Sequence, residues 1–248
     1  MSLTNDAILF AGGTGRVARV ALQTLVSWGA NVVVVSRRLA AAQAAIDAQL
    51  DHVERERAFA FEADLLRPED GVAATAEVVR RFGRIDAVIS LAGGGTPFVP
   101  IAESTLDDLR ASVDNNLVIA YNLALPALGA MLRQPARAGA RSRGRFVAVT
   151  AGSSVDPQPR FGIMGIGKAG VNVLMLAIAR EHKADGIVAN ALVLGGVATS
   201  AARGYLNAED LAAAATPQEV ADALAFLASD RGSGINGALV DLNAREVD

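Results

Sequence analysis

Short apolar runs rich in β-branched residues alternate along this chain with longer segments of helical period. That alternation constrains the fold more than any other feature. The runs read AILFAG, NVVVVS, AFAFEAD, IDAVISLAG, GRFVAVTAG, GIVANALVL and GALVDLN. Between them lie RVARVALQTLVSWGA, RLAAAQAAIDAQLDHVERE, PEDGVAATAEVVRRFG, a helical stretch around Asp114–Leu132, another around Gly165–Ala184, and TPQEVADALAFLASD. Near-continuous apolar strands are those buried on both faces. Strands alternating with helices read as βαβ units, so the expectation is an α/β chain built on a doubly wound parallel sheet of about seven strands. No internal linker interrupts the pattern, and residues 1–248 read as a single domain. The basic stretch RQPARAGARSRG, Arg133–Gly144, reads as a solvated connection before a strand.

Composition removes several function classes. Hydrophobic residues make up 52% of the 248, enough for a sizeable core. No uninterrupted apolar run approaches the ~20 residues of a membrane span. The opening MSLTNDAILF has no basic region leading into an apolar segment, so no signal peptide and no membrane association are expected. With no cysteine there is no disulfide, thiolate nucleophile or Cys-ligated zinc, and a cytoplasmic location is expected. Two histidines, His52 and His182, do not make a metal site. A formal net charge of −3 argues against a nucleic-acid partner and for a small-molecule substrate.

The segment LFAGGTGRVARVA leaves the first strand and opens the first helix. In that context glycines carry meaning. Gly12 allows a tight turn, Gly15 lets a pyrophosphate approach the backbone, and Ala18 lets the helix pack on the sheet. The helix N-terminus offers free amides and a positive dipole to the phosphates, so Gly12, Gly13, Thr14, Gly15, Arg16 and Val17 form the candidate cradle of a Rossmann-type dinucleotide site. The second strand ends in Ser36, where a site for NAD(H) would place an acid; Arg37 and Arg38 follow. A guanidinium binds a 2′-phosphate as a fork and a carboxylate repels it, so NADP(H) is expected over NAD(H).

These landmarks resemble the short-chain dehydrogenase/reductase superfamily over nearly the whole chain. AGGTGRVA resembles its glycine motif, in a spacing closer to the extended and atypical branches. EADL places Asp64 and Leu65 where the family binds the adenine edge. ISLAGGG stands at the family's Asn-Asn-Ala-Gly, keeping Ala92 and Gly93 but replacing the asparagines with Ser90 and Leu91. DNNLVIAYNL places Asn116 at the active-site asparagine. GKAGVNVLMLAIARE resembles the catalytic helix, with Lys168 in place. VANALVLGGVAT resembles the family's Asn-x-x-x-Pro-Gly-x-x-x-Thr stretch, with Asn190, Gly195 and Thr199 retained and Leu194 replacing the proline; Gly195, Val197 and Thr199 are the cofactor-binding candidates there. The resemblance implies a substrate lid around 195–215 and a homodimer or homotetramer. Apolar residues on more than one face of AGVNVLMLAIA and NNLVIAYNLALPALGAML support that assembly.

The resemblance also implies a chemistry that this chain lacks in part. The family uses a tyrosine acid, a lysine four residues on, a serine at the preceding strand end and an asparagine that anchors a proton-relay water. Lys168 and Asn116 carry over; Met164 stands at the tyrosine and Ala151 at the serine. Losing a general acid costs about 10²–10⁴-fold in rate, which handicaps hydride transfer without forbidding it. Ser153 faces Ala151's side if the strand persists, and Tyr205 lies in the lid; both are candidate substitutes, as is Lys168 itself. Phe161, Ile163, Met164 and Ile166 suit an apolar or aromatic carbonyl substrate. Three readings stay open: an atypical NADP(H)-dependent reductase, a catalytically silent NADP(H)-binding sensor, and non-redox chemistry on the same fold.

Overall fold

A computed structural model describes residues 2–199, 211 and 214–242. Seven parallel strands form one sheet in the order β3-β2-β1-β4-β5-β6-β7. The strands are β1 (Ala7–Ala11), β2 (Asn31–Ser36), β3 (Ala58–Glu62), β4 (Ala87–Ser90), β5 (Gly144–Ala151), β6 (Ile187–Leu194) and β7 (Leu239–Asp241). Between them run α1 (Arg16–Ser27), α2 (Leu39–Gln49), α3 (Pro68–Phe82), α4 (Leu106–Ser112), α5 (Ile119–Arg133), α6 (Gly162–Glu181) and α7 (Pro217–Ala228).

Side-chain alternation splits the core into two layers. Ile8, Phe10, Val32 and Val34 pack with α1, α2 and α7; Leu9, Ala11, Val33 and Val35 pack on the other face with helices α3, α5 and α6. Both faces are covered, which is why the strands read as unbroken apolar runs. The α6 helix and the continuous Leu106–Arg133 segment are apolar enough on average to pass for membrane spans, with mean hydropathies of 1.6 and 1.3. About half of each lies buried against the sheet.

Two helix limits differ from the sequence expectation by more than a helical turn. The stretch RLAAAQAAIDAQLDHVERE breaks after Gln49, and Leu50 turns extended. Asp51 then accepts the amides of Val53 and Glu54 at 2.9 Å each, starting a separate 3₁₀ turn, Glu54–Arg57. The helix expected near Asp114 begins earlier, at a Thr105–Asp108 capping box. It then widens through a π-helical turn, Val113–Val118.

Candidate active site

The strand order reverses between β1 and β4, where helices depart to opposite faces; such a switch point opens a crevice at the strands' carboxyl ends. A cleft of about 470 Å³ lies there. The glycine loop lines it with Gly12, Thr14 and Gly15, the end of β2 with Ser36 and Arg37, the end of β3 with Asp64 and Leu65, and the end of β4 with Ala92 and Gly93. Val35, Ala63, Leu91, Gly94, Gly95, Asn115 and Ile119 complete the wall. The sequence reading missed this second group; the glycine run after Ala92 was its visible signal.

The glycines divide by what surrounds them. Gly12 has φ +85, and a Cβ there would sit 2.5 Å from the Ala92 nitrogen. It is a packing glycine that lets the loop close on β4. Gly13 is buried beneath the loop, where a Cβ would meet Val34 Cγ1 at 2.4 Å. A Cβ on Gly15 would meet nothing within 4 Å, and no side chain caps α1, whose N-cap Gly15 lines the cleft. An uncapped helix start with open space beside it fits a phosphate group. Arg16, Arg37 and Arg38 carry no ion pair or side-chain hydrogen bond among the described residues, and Ser36 Oγ accepts the Arg38 amide at 3.3 Å. These features fit a dinucleotide.

At the other end of the cleft the structure brings Lys168 and Asn116 together at Gly93. A Cβ on Gly93 would lie 2.6 Å from both Asn116 Oδ1 and Lys168 Nζ, and Gly93 has φ +150. Lys168 is buried, and its ammonium donates to the Val149 carbonyl at 3.0 Å. Burial pushes its amine down from 10.5 to about 8. Asn116 is held at both ends: Gly94 N donates to Oδ1 at 3.1 Å and Nδ2 donates to the Ser112 carbonyl at 2.9 Å. That carbonyl is the ordinary i−4 partner of the Asn116 amide, and taking it opens the helix into the π turn. Ser112 Oγ donates to the Ile163 carbonyl at 2.7 Å, tying this turn to α6. Met164 is half-buried on α6, one turn before Lys168.

The strand does not persist to Ser153, so alternation does not set that side chain beside Ala151. β5 stops at Ala151, and Gly152–Ser154 coil as a 3₁₀ turn. Ser153 instead backs against α6, where a Cβ on Gly165 would lie 2.3 Å from its carbonyl oxygen. Its hydroxyl is buried without a hydrogen-bond partner, unlike Ser154, which donates to the Ala151 carbonyl and accepts from Asn172. Tyr205 lies outside the described residues. Gly195, Val197 and Thr199 follow β6, and Ala198 N donates to the Ala215 carbonyl at 2.8 Å, clipping together the two ends of the 199–214 segment. Val17 packs against the core cluster of α1 rather than lining the cleft.

An apolar wall borders the α6 start. Phe98 and Phe161 pack as tilted rings with centres 4.8 Å apart, and the Phe98 carbonyl accepts from Arg160 Nε at 3.0 Å. Exposed Ile101 reaches the backbone of Gly162.

The sequence family described as enoyl-(acyl carrier protein) reductase matches residues 17–244. The chain belongs to the short-chain dehydrogenase/reductase superfamily and is an oxidoreductase. Membership implies a nicotinamide dinucleotide as its cofactor. An A-factor type γ-butyrolactone 1′-reductase (1S-forming) of Streptomyces virginiae is 28% identical over 95% of this chain and 93% of its own length. A 2,5-dichloro-2,5-cyclohexadiene-1,4-diol dehydrogenase of Sphingobium indicum is 27% identical over 95% of this chain and 94% of its own. The structure of a short-chain type dehydrogenase/reductase from Mycobacterium ulcerans superposes with a TM-score of 0.87, at 22% identity, over 98% of this chain and 90% of that one.

Proposed function

We propose that this chain is an NADP(H)-dependent carbonyl reductase in which Lys168 stands in for the missing tyrosine. The observation that carries the reading is the meeting of Lys168 Nζ and Asn116 Oδ1 at Gly93, on the cleft wall, with no phenol at position 164. Bound in the cleft, the nicotinamide supplies the hydride. Thr14 and Gly15, with Gly12 at the turn and Arg16 opening α1, hold the pyrophosphate, Asp64 and Leu65 the adenine edge, and Arg37 with Arg38 the 2′-phosphate. Lys168 polarises the substrate carbonyl and gives its proton to the oxygen. An amine near 8 holds its proton loosely enough to donate around neutral pH. The Val149 carbonyl fixes the amine, and Asn116, anchored by Ser112 and Gly94, fixes the wall beside it. The unpartnered hydroxyl of Ser153 is the second donor for the carbonyl oxygen.

Phe98, Phe161, Ile101 and Met164 favour a ring-bearing apolar carbonyl compound. The lactone reductase and the cyclic-diol dehydrogenase are both named for ring-bearing substrates. The segment around 195–215, with Tyr205, closes over that substrate as a lid. Exposed Tyr121 and Leu125 on α5 and Ile166 and Val173 on α6 form the face of a homodimer or homotetramer.

The test is loss of reduced-nicotinamide absorbance with cyclic ketones, keto-lactones and quinones, alongside light scattering after size exclusion. Turnover with at least one class is expected. NADPH binding without any turnover would overturn the reading.

A further inference from the structure

Glu62 is absorbed by none of the roles above. It ends β3, directly beside Ser36 in the parallel register of β2 and β3. Register partners present their side chains on the same face, so Glu62 stands next to the position where an NAD(H) site carries its acid. The carboxylate reaches across that edge: Oε2 accepts the amide of Leu39, the first residue of α2, at 2.8 Å. The next residue, Ala63, donates its amide to the Ser36 carbonyl at 3.0 Å and lines the cleft, as do Ser36 and Arg37. No arginine neutralises Glu62 among the described residues; Arg37 and Arg38, which precede Leu39 in the chain, carry no ion pair among those residues either. A carboxylate therefore already holds the opening amide of α2, beside the arginines read as the 2′-phosphate site.

We propose that Glu62 sets the chain's discrimination between the two nicotinamide dinucleotides, holding down the NADP(H) preference that Ser36, Arg37 and Arg38 create. This rests on the dinucleotide reading of the cleft. A 2′-phosphate held by Arg37 meets a second anion at the same helix start and is weakened by it. A ribose 2′-hydroxyl can donate to the same carboxylate and pays no such penalty. The chain accepts both cofactors, with a narrower preference than its arginines alone would give.

Calorimetric titration of the wild type and Glu62→Gln with NADPH and with NADH tests this. Glutamine keeps an oxygen for the Leu39 amide and removes only the charge. A carboxylate facing a phosphate of nearly two charges across a solvated gap weakens binding by about tenfold, so Glu62→Gln should bind NADPH about tenfold tighter. NADH affinity should stay level or fall, and the NADPH gain should shrink as salt rises. Equal shifts for both dinucleotides, or none, with an unchanged melting temperature, would leave Glu62 a plain cap of α2 and overturn the proposal alone. A wild type that binds neither dinucleotide would overturn it together with the cofactor site.

Discussion

Gly12 and Gly15 stand three residues apart in one loop, yet substitution by alanine should damage different properties. At Gly12 the new methyl must enter a backbone held at φ +85 and would lie 2.5 Å from the Ala92 nitrogen and 2.6 Å from the Leu91 carbonyl carbon. Left-handed backbone costs a non-glycine residue about 1–2 kcal/mol. Forcing two strand ends apart adds about 1–3 kcal/mol. The sum is about 3 kcal/mol, or roughly 9 °C in melting temperature for a domain of this size. At Gly15 the backbone is ordinary, φ −74 and ψ 168, and nothing lies within 4 Å. Alanine caps a helix less well than glycine, but it also restricts the unfolded chain, so the net change should stay within about 1 kcal/mol. The methyl fills the space assigned to the pyrophosphate, so NADPH affinity should fall by about tenfold or more. Thermal melts with and without NADPH, joined to calorimetric titration, separate the two outcomes. Gly15→Ala binding NADPH like the wild type would refute the cradle. Gly12→Ala melting like the wild type would refute the packing argument.

Lys168→Met should stabilise the free protein. The folded amine titrates near 8 and the unfolded one near 10.5, so the unfolded chain binds more protons between those values and stability rises with pH across that window. At pH 7 the buried charge costs about 3 kcal/mol, and after loss of the Val149 bond the variant should melt about 5 °C higher while losing turnover; a lower melting temperature would contradict this. Met164→Tyr restores an acid one helical turn from Lys168 and should raise turnover by about 10²-fold, read as kcat against an unchanged NADPH affinity. Arg37→Gln should weaken NADPH by about tenfold and leave NADH nearly level in the same titration.

The strand and helix alternation was legible because each strand is covered on both faces and carries its signal locally. The glycine loop was legible for the same reason: its turn, open space and helix start are consecutive residues. Lys168 and Asn116 were found through family resemblance, but their meeting at Gly93 depends on a π turn that the sequence does not display. That turn follows from one amide side chain taking its own helix's acceptor while bonding to Gly94. The strand read as GRFVAVTAG stops one residue early, at Ala151, and the 3₁₀ turn over Gly152–Ser154 removes the alternation on which the placement of Ser153 depended. Glu62 was invisible as a site residue because its neighbour Ser36 lies 26 positions earlier in the chain and is beside it only through the β2–β3 register.

The most direct test of the central claim is the single-turnover rate of hydride transfer from NADPH to a cyclic ketone, measured across pH. With Lys168 as the proton donor, reduction should proceed at neutral pH and fall as pH rises through about 8, and Lys168→Arg, whose guanidinium keeps its proton, should bind NADPH but lose that titration. Tight NADPH binding with no hydride transfer at any pH, or a profile that is unchanged in Lys168→Arg, would contradict the account.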